Sequence, residues 1–141
     1  MTTDSANDTP HGFAPGAYVG FEDFVGPLYA RTAQPHGTIM GFRVAREHVN
    51  GRNSCHGGML VAFADMAWGK PLAGRGYDGG WATVRLTTDF LAPADLGDWL
   101  EASSVILGRD GDLFTLQGEV RKGDVRIMVG TAVYKGVRSR P

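Results

Sequence analysis

The stretch HVNGRNSCHGGMLVAFADMAWGK, residues 48–70, decides how this chain folds. From Gly58 to Gly69 every side chain is apolar except that of Asp65. A run hydrophobic on all sides predicts a helix over residues 57 to about 69, buried on nearly every face. Pro71 lacks an amide hydrogen and clashes with the carbonyl four residues back, so the helix ends or kinks near Gly69-Lys70. An ionised carboxylate is almost never fully buried without a partner. The helical neighbours of Asp65 at three and four residues, Val61, Ala62, Trp68 and Gly69, include no cation. Its partner must come from elsewhere: another backbone segment, a distant arginine such as Arg43 or Arg85, or a site that Asp65 serves.

The segment ahead of the helix favours a site. Asn50, Gly51, Asn53, Ser54, Gly57 and Gly58 are polar or glycine, and a helix N-terminus carries free amide hydrogens and a partial positive charge. Such an end can hold an anion, or an oxygen that becomes one in a transition state. Glycine lets a ligand come close to that backbone, although the same glycines could serve only a tight turn. The spacing matches neither a Walker motif nor the dinucleotide fingerprint. His56 has no second histidine three or four residues away, the others being His11, His36 and His48, so no zinc motif is present. Cys55 and His56 are adjacent and point apart, which excludes a nucleophile–base pair. His56 is expected to orient the loop through its ring or its carbonyl.

Gly57 and Asp65 lie eight residues apart, about 12 Å along one helix at ~1.5 Å per residue. Groups that act on one carbonyl must sit within about 3 Å of the reacting atoms. One helix cannot bring its own amide end and its own carboxylate to one substrate. Two copies running antiparallel about a two-fold axis can, so an active site built from these residues is a dimer site, formed twice.

The rest of the chain supplies the frame. Its 141 residues suit one domain, with residues 1–12 expected to be a poorly ordered polar tail and 13–141 the domain proper. The composition is 43% hydrophobic and 21% charged, with 14 basic against 15 acidic residues. That balance argues against nucleic acid as a partner. The single Cys55 precludes an intrachain disulfide and fits a reducing, cytoplasmic setting. No apolar run reaches the ~20 residues of a membrane span, and the first dozen residues lack the pattern of a signal peptide.

Phe21, Phe24, Val25, Leu28 and Tyr29 recur at helical spacing around Gly26-Pro27, predicting a short interrupted helix. Thr38 to Val44 alternates as a strand. After Gly79-Gly80 four strands follow, with Ala82, Val84, Leu86, Thr88 and Phe90 on one face of the first and Trp81, Thr83, Arg85, Thr87 and Asp89 on the other. The tight turns at Arg109–Asp112 and Lys122–Asp124 imply antiparallel neighbours. A helix this apolar needs a sheet curled around it.

At this point the residues resemble a known family. Asn50-Gly51, His56-Gly57-Gly58-Met59 and Ala64-Asp65-Met66-Ala67, with the later Asp89-Phe90-Leu91-Ala92-Pro93-Ala94, are similar to the motifs of hotdog-fold acyl-CoA thioesterases of the PaaI-like group. The similarity covers most of the chain from about Phe24 to Tyr134. It implies an α+β hotdog fold, an antiparallel five- to six-stranded sheet wrapped around one long central helix, in dimers that often pair into tetramers.

The activity implied is hydrolysis of an acyl-CoA by Asp65 as general base or nucleophile. The Gly57 amide polarises the carbonyl, Asn50 positions the water or thioester, His56 supports the geometry, and Thr83 is the matching strand hydroxyl. No metal or cofactor is implied beyond the coenzyme A of the substrate. Pro71 departs from the pattern and bears on the shape of the acyl pocket. Gly58, Met59, Phe63, Met66 and Trp81 are candidates to line an apolar acyl pocket. Arg85, Arg121, Lys122, Lys135 and Arg138 are candidates for the phosphates. The competing functions are another hotdog chemistry, hydration or dehydration of an acyl thioester, and a non-catalytic acyl-CoA binding module.

Overall fold

A computed structural model describes residues 8–33 and 37–141. The chain runs β1 (Ala14–Pro15), α1 (Phe21–Val25), β2 (Tyr29–Ala33), β3 (Gly37–Arg43), α2 (Gly57–Trp68), β4 (Trp81–Phe90), β5 (Trp99–Asp110), β6 (Leu113–Lys122) and β7 (Val125–Gly136). The strands form one antiparallel sheet in the order β1-β2-β3-β5-β6-β7-β4. It has seven strands, not the expected five to six. The additional strands come from the N-terminal quarter. Pro27 ends α1 after one turn, and Leu28 and Tyr29, whose spacing suggested more helix, belong instead to the extended segment that pairs with β3. Part of the expected N-terminal tail, residues 1–7, and His36 lie outside the described residues. Within residues 8–12 the carbonyl of Asp8 accepts a hydrogen bond from Arg43 Nη2 at 2.7 Å, which holds the chain on the sheet before Phe13.

The sheet curls around α2. Phe63 packs edge-on against Phe42, ring centroids 4.6 Å apart, among Leu100, Leu116, Val120, Met128 and Ala132, all fully buried. Trp68 anchors the far end of the helix. Its indole Nε1 donates to the Glu119 carbonyl at 3.3 Å, and Ser104 Oγ donates to the Trp68 carbonyl at 2.8 Å. Gly118 on β6 leaves room for that indole, since a Cβ there would overlap its ring atoms. Gly118→Ala is therefore expected to lower stability by about 2 kcal/mol through overpacking, read as a fall in the thermal midpoint. An unchanged midpoint would mean that Trp68 is not wedged as described.

Two expectations need correction. The helix is not enclosed on every side: Val61, Ala62, Asp65 and Met66 remain partly exposed along one stripe. The sheet leaves that side open because β4 is its last strand, and Val84, Phe90 and Leu91 there are 57%, 54% and 56% exposed. The faces of β4 also differ from strict alternation. A register shift between Thr83 and Arg85 pairs Thr83 with Tyr134 and Leu86 with Ala132. A bulge moves the residues before it to the other face, so Thr83 joins Leu86, Thr88 and Phe90 on the side that faces the helix.

Candidate active site

The bulge puts Thr83 against Asp65. Thr83 Oγ1 donates to Asp65 Oδ1 at 2.6 Å, and Tyr134 from β7 donates its hydroxyl to the Asp65 backbone carbonyl at 3.0 Å. Burial first, then the nearby Asp65 carboxylate, push the Tyr134 phenol above its ordinary range, so it stays a donor at neutral pH. No ion pair among the described residues involves Asp65. Arg43 bonds the carbonyls of Gly97 and Asp8 instead, and Arg85 sits across from Val133 on the outer face. Among the described residues Asp65 Oδ2 accepts no hydrogen bond. The carboxylate is oriented by one hydroxyl and otherwise open.

The second group gathers at the start of α2. His56, in an extended conformation at φ −59° and ψ 136°, caps the helix. Its ring Nδ1 accepts from Gly58 N at 2.8 Å, and its carbonyl accepts from Met59 N and Leu60 N at 2.9 and 3.1 Å. Gly57 N–H is left with no acceptor among the described residues. Nδ1 as acceptor puts the proton of a neutral ring on Nε2. Asn50 holds the preceding loop, its Oδ1 accepting from Arg52 N at 2.9 Å and Ser54 N at 3.3 Å. The side chain is thus partly committed to its own turn, with the Nδ2 amide as the end available to a substrate.

His48, which sequence reasoning passed over, ties this region together. It is buried, its Nδ1 accepts from Ala45 N at 2.9 Å, and its Nε2 donates to the Val25 carbonyl at 2.6 Å. Its own carbonyl accepts from His56 N at 2.8 Å. It thereby ties α1 to the loop that carries Asn50 and His56. Only the absence of a second histidine at ligand spacing was visible in the sequence, and that said nothing of a buried latch.

Of the expected acyl-pocket residues, Gly58 and Met59 line a cavity of about 220 Å³ together with Phe21, Phe24, Val25, Glu47, His48 and His56. Phe63 does not reach an opening, being wholly buried in the core. Met66 lies on the open stripe of α2. Trp81 is at the opposite end of the helix, its indole in the space a Cβ on Gly69 would fill and 5.9 Å from the Lys70 ammonium. A shallower cleft of about 440 Å³ runs past Gly57 on the other side, along Asn50, Leu60 and Phe90 to Ala94.

Asp65, Thr83 and Tyr134 thus meet at mid-helix, while Asn50, His56, Gly57, Gly58 and Met59 meet at its start. One chain does not bring the two groups together. Among the described residues no three His, Cys, Asp or Glu side chains cluster as metal ligands. The buried Cys55 thiol is pushed up to about 12 by desolvation and is inert. No helix among the described residues is long and apolar enough to cross a membrane.

The sequence profile of the thioesterase superfamily matches residues 52–129, more than half of the chain. A Pseudomonas aeruginosa protein whose name proposes an esterase is 34% identical over 80 residues, which span 56% of this chain and 60% of the length of that relative. The phenylacetic acid degradation protein PaaI of Thermus thermophilus, in a point-mutant form, superposes with a TM-score of 0.72 at 22% identity, over 83% of this chain and 98% of the other. A Bacillus halodurans protein crystallised with CoA superposes with a TM-score of 0.69 at 21% identity, over 79% of this chain and 74% of the other. These structural likenesses establish the fold as the hotdog.

Proposed function

The chain belongs to the thioesterase superfamily, and we propose that it hydrolyses the thioester of an apolar acyl-CoA to a free acid and coenzyme A, in a site shared by two copies. The observation that carries this is the division of groups along α2. An unengaged amide at Gly57 and an open carboxylate oxygen at Asp65 lie on one helix, eight residues and about 12 Å apart. The stripe bearing Asp65 is partly exposed beside an edge strand, an unpaired edge that supports an antiparallel second copy there.

The thioester carbonyl accepts from Gly57 N–H of one copy, and Asp65 of the other takes a proton from water as its oxygen attacks the carbonyl carbon. The oxyanion forms at the helix N-terminus. Its collapse breaks the carbon–sulfur bond, and the thiolate leaves with the proton returned by Asp65. Thr83 orients the carboxylate, and Tyr134 fixes its backbone. The His56 ring satisfies Gly58 and leaves Gly57 as the free donor, while Asn50 holds the loop and offers its amide to the thioester. Asp65 as a direct nucleophile is the variant chemistry: its carboxylate displaces the thiolate to form an acyl-Asp65 anhydride, which water then opens. Single turnover in labelled water leaves label in Asp65 when the water attacks the Asp65 carbonyl.

The cavity walled by Phe21, Phe24, Val25 and Met59 suits an aromatic or medium-length acyl group. CoA bound to the Bacillus protein supports the carrier. Pairing at β4 gives the dimer, and two such dimers a tetramer; a cytoplasmic setting accords with the single, buried, unreactive thiol. Hydration or dehydration would need a histidine on the substrate carbon, and His56 Nδ1 is already committed to Gly58.

Thiol release from a panel of acyl-CoAs tests the reading. Binding without release across the panel favours a binding module. Thr83→Val is expected to lower kcat about ten-fold with KM little changed, the loss of one hydrogen bond to a charged group. An unaltered kcat would remove Thr83 from the site.

A further inference from the structure

We propose that the groove between the loop after α2 and the C-terminal segment binds the phosphorylated nucleotide end of the coenzyme A thioester, with Arg138 as its principal cation. This rests on the acyl-CoA reading above and adds where the anionic half of the substrate lies. The groove measures about 590 Å³ and is lined by Gly74, Gly76, Tyr77, Asp78, Arg138 and Ser139.

Its cations are organised by one aromatic ring. The Arg138 guanidinium lies 5.3 Å from the Tyr77 ring centroid, and that of Arg109 lies 6.0 Å from it. Arg109 is committed: its Nε donates to the Gly111 carbonyl at 2.7 Å and its Nη2 to the Tyr77 hydroxyl at 2.9 Å. Arg138 makes no ion pair among the described residues. The one acid at the groove, Asp78, is turned to Ser139, whose amide donates to Oδ1 at 2.8 Å and whose hydroxyl donates to Oδ2. The Asp78 carboxylate also feels the Arg138 charge, but no ion-pair contact joins them among the described residues. An exposed guanidinium held on a ring face can meet phosphate oxygens.

The groove is also in the right place. Gly79 and Gly80 exchange backbone hydrogen bonds with Val137, both at 2.9 Å, so β4 and β7 run together from the Thr83–Tyr134 pair beside Asp65 to the groove. Tyr134 to Arg138 is about 13 Å of extended chain at ~3.3 Å per residue. The pantetheine arm separates a thioester from the first phosphate by a distance of that order. The other cations singled out in the sequence are engaged or misplaced. Arg121 pairs with Glu119 at 2.6 Å, Lys122 with Asp98 at 2.9 Å and Lys135 with Asp112 at 3.9 Å, and Arg85 faces outward from β4.

The test uses Arg138→Glu in the full chain and two thioesters of one acyl group, one on CoA and one on N-acetylcysteamine, which lacks the nucleotide. KM for the CoA ester is expected to rise about ten-fold at unchanged kcat, with kinetics on the N-acetylcysteamine ester unaltered. Equal effects on both esters, or none on either, overturn the assignment. Calorimetry with adenosine 3′,5′-bisphosphate reads the groove independently of catalysis. Binding to the wild type that is lost in Arg138→Glu supports the groove even if no thioester is cleaved, in which case the hydrolase reading alone falls. Equal binding to the two proteins, or none to the wild type, overturns the groove.

Discussion

Asp65→Asn is expected to lower kcat about a thousand-fold on every acyl-CoA the wild type accepts, with the circular dichroism spectrum unchanged and the thermal midpoint within a few degrees. The two halves of that expectation come from different observations. The fold survives because the change is isosteric, the side chain is only partly buried, and a carboxamide oxygen still accepts the Thr83 hydroxyl that lies 2.6 Å from Oδ1. Turnover does not, because an amide oxygen cannot take a proton from water. Near-wild-type turnover by a folded Asp65→Asn protein would remove both the base and the nucleophile roles. A variant that binds acyl-CoA as the wild type does, but releases no thiol, would isolate the chemistry from recognition.

The sequence made α2 legible because its apolar run admits hardly any other interpretation, and Asp65 stood out within it. The spacing of Gly57 and Asp65 was legible too, and it is what motivates the proposal of a site shared by two copies. Less visible was anything set by a local break in periodicity. Strict alternation put Thr83 on the wrong face of β4, and only the likeness to known motifs made it a site candidate; its contact with Asp65 came from the structure. The bulge beside Val84 reconciles the two, and bulges leave no mark in a hydrophobic pattern.

The N-terminal strands were missed for a related reason. Leu28 and Tyr29 fit a helical spacing that continues from Phe21, and β2 is too short to display a period of its own. Which first-turn amide is free could not be read from composition; only the likeness to known motifs pointed to Gly57, and the reason, the His56 ring folding back on Gly58, needed the structure. The exposed stripe of α2 is the most instructive difference. All-round hydrophobicity implies burial, and the sequence does not say whether one chain or two provide it.

Gly57→Pro is expected to fold normally and to lose turnover by about a hundred-fold or more, the range for deleting one oxyanion donor. Proline is well tolerated at the first position of a helix, where Gly57 stands. It requires the residue before it to be extended, and His56 already has ψ 136°. The amide hydrogen it removes has no acceptor among the described residues. The nearest obstacle to new side-chain atoms is the Phe90 ring, 3.3 Å from a Cβ at this position, a tight contact that a few tenths of an ångström of ring movement relieves.

Mixing this protein with Asp65→Asn then asks whose groups meet. In a mixed dimer one site has both altered groups and the other has neither, since the intact Gly57 and the intact Asp65 lie on different chains. Random exchange makes about half of the dimers mixed, so roughly a quarter of wild-type activity should return from two nearly inactive proteins. No recovery, once mass spectrometry of differently tagged chains has shown that subunits exchange, would mean that each chain works alone. The path from Gly57 to Asp65 would then need a change of structure that a continuous helix does not allow.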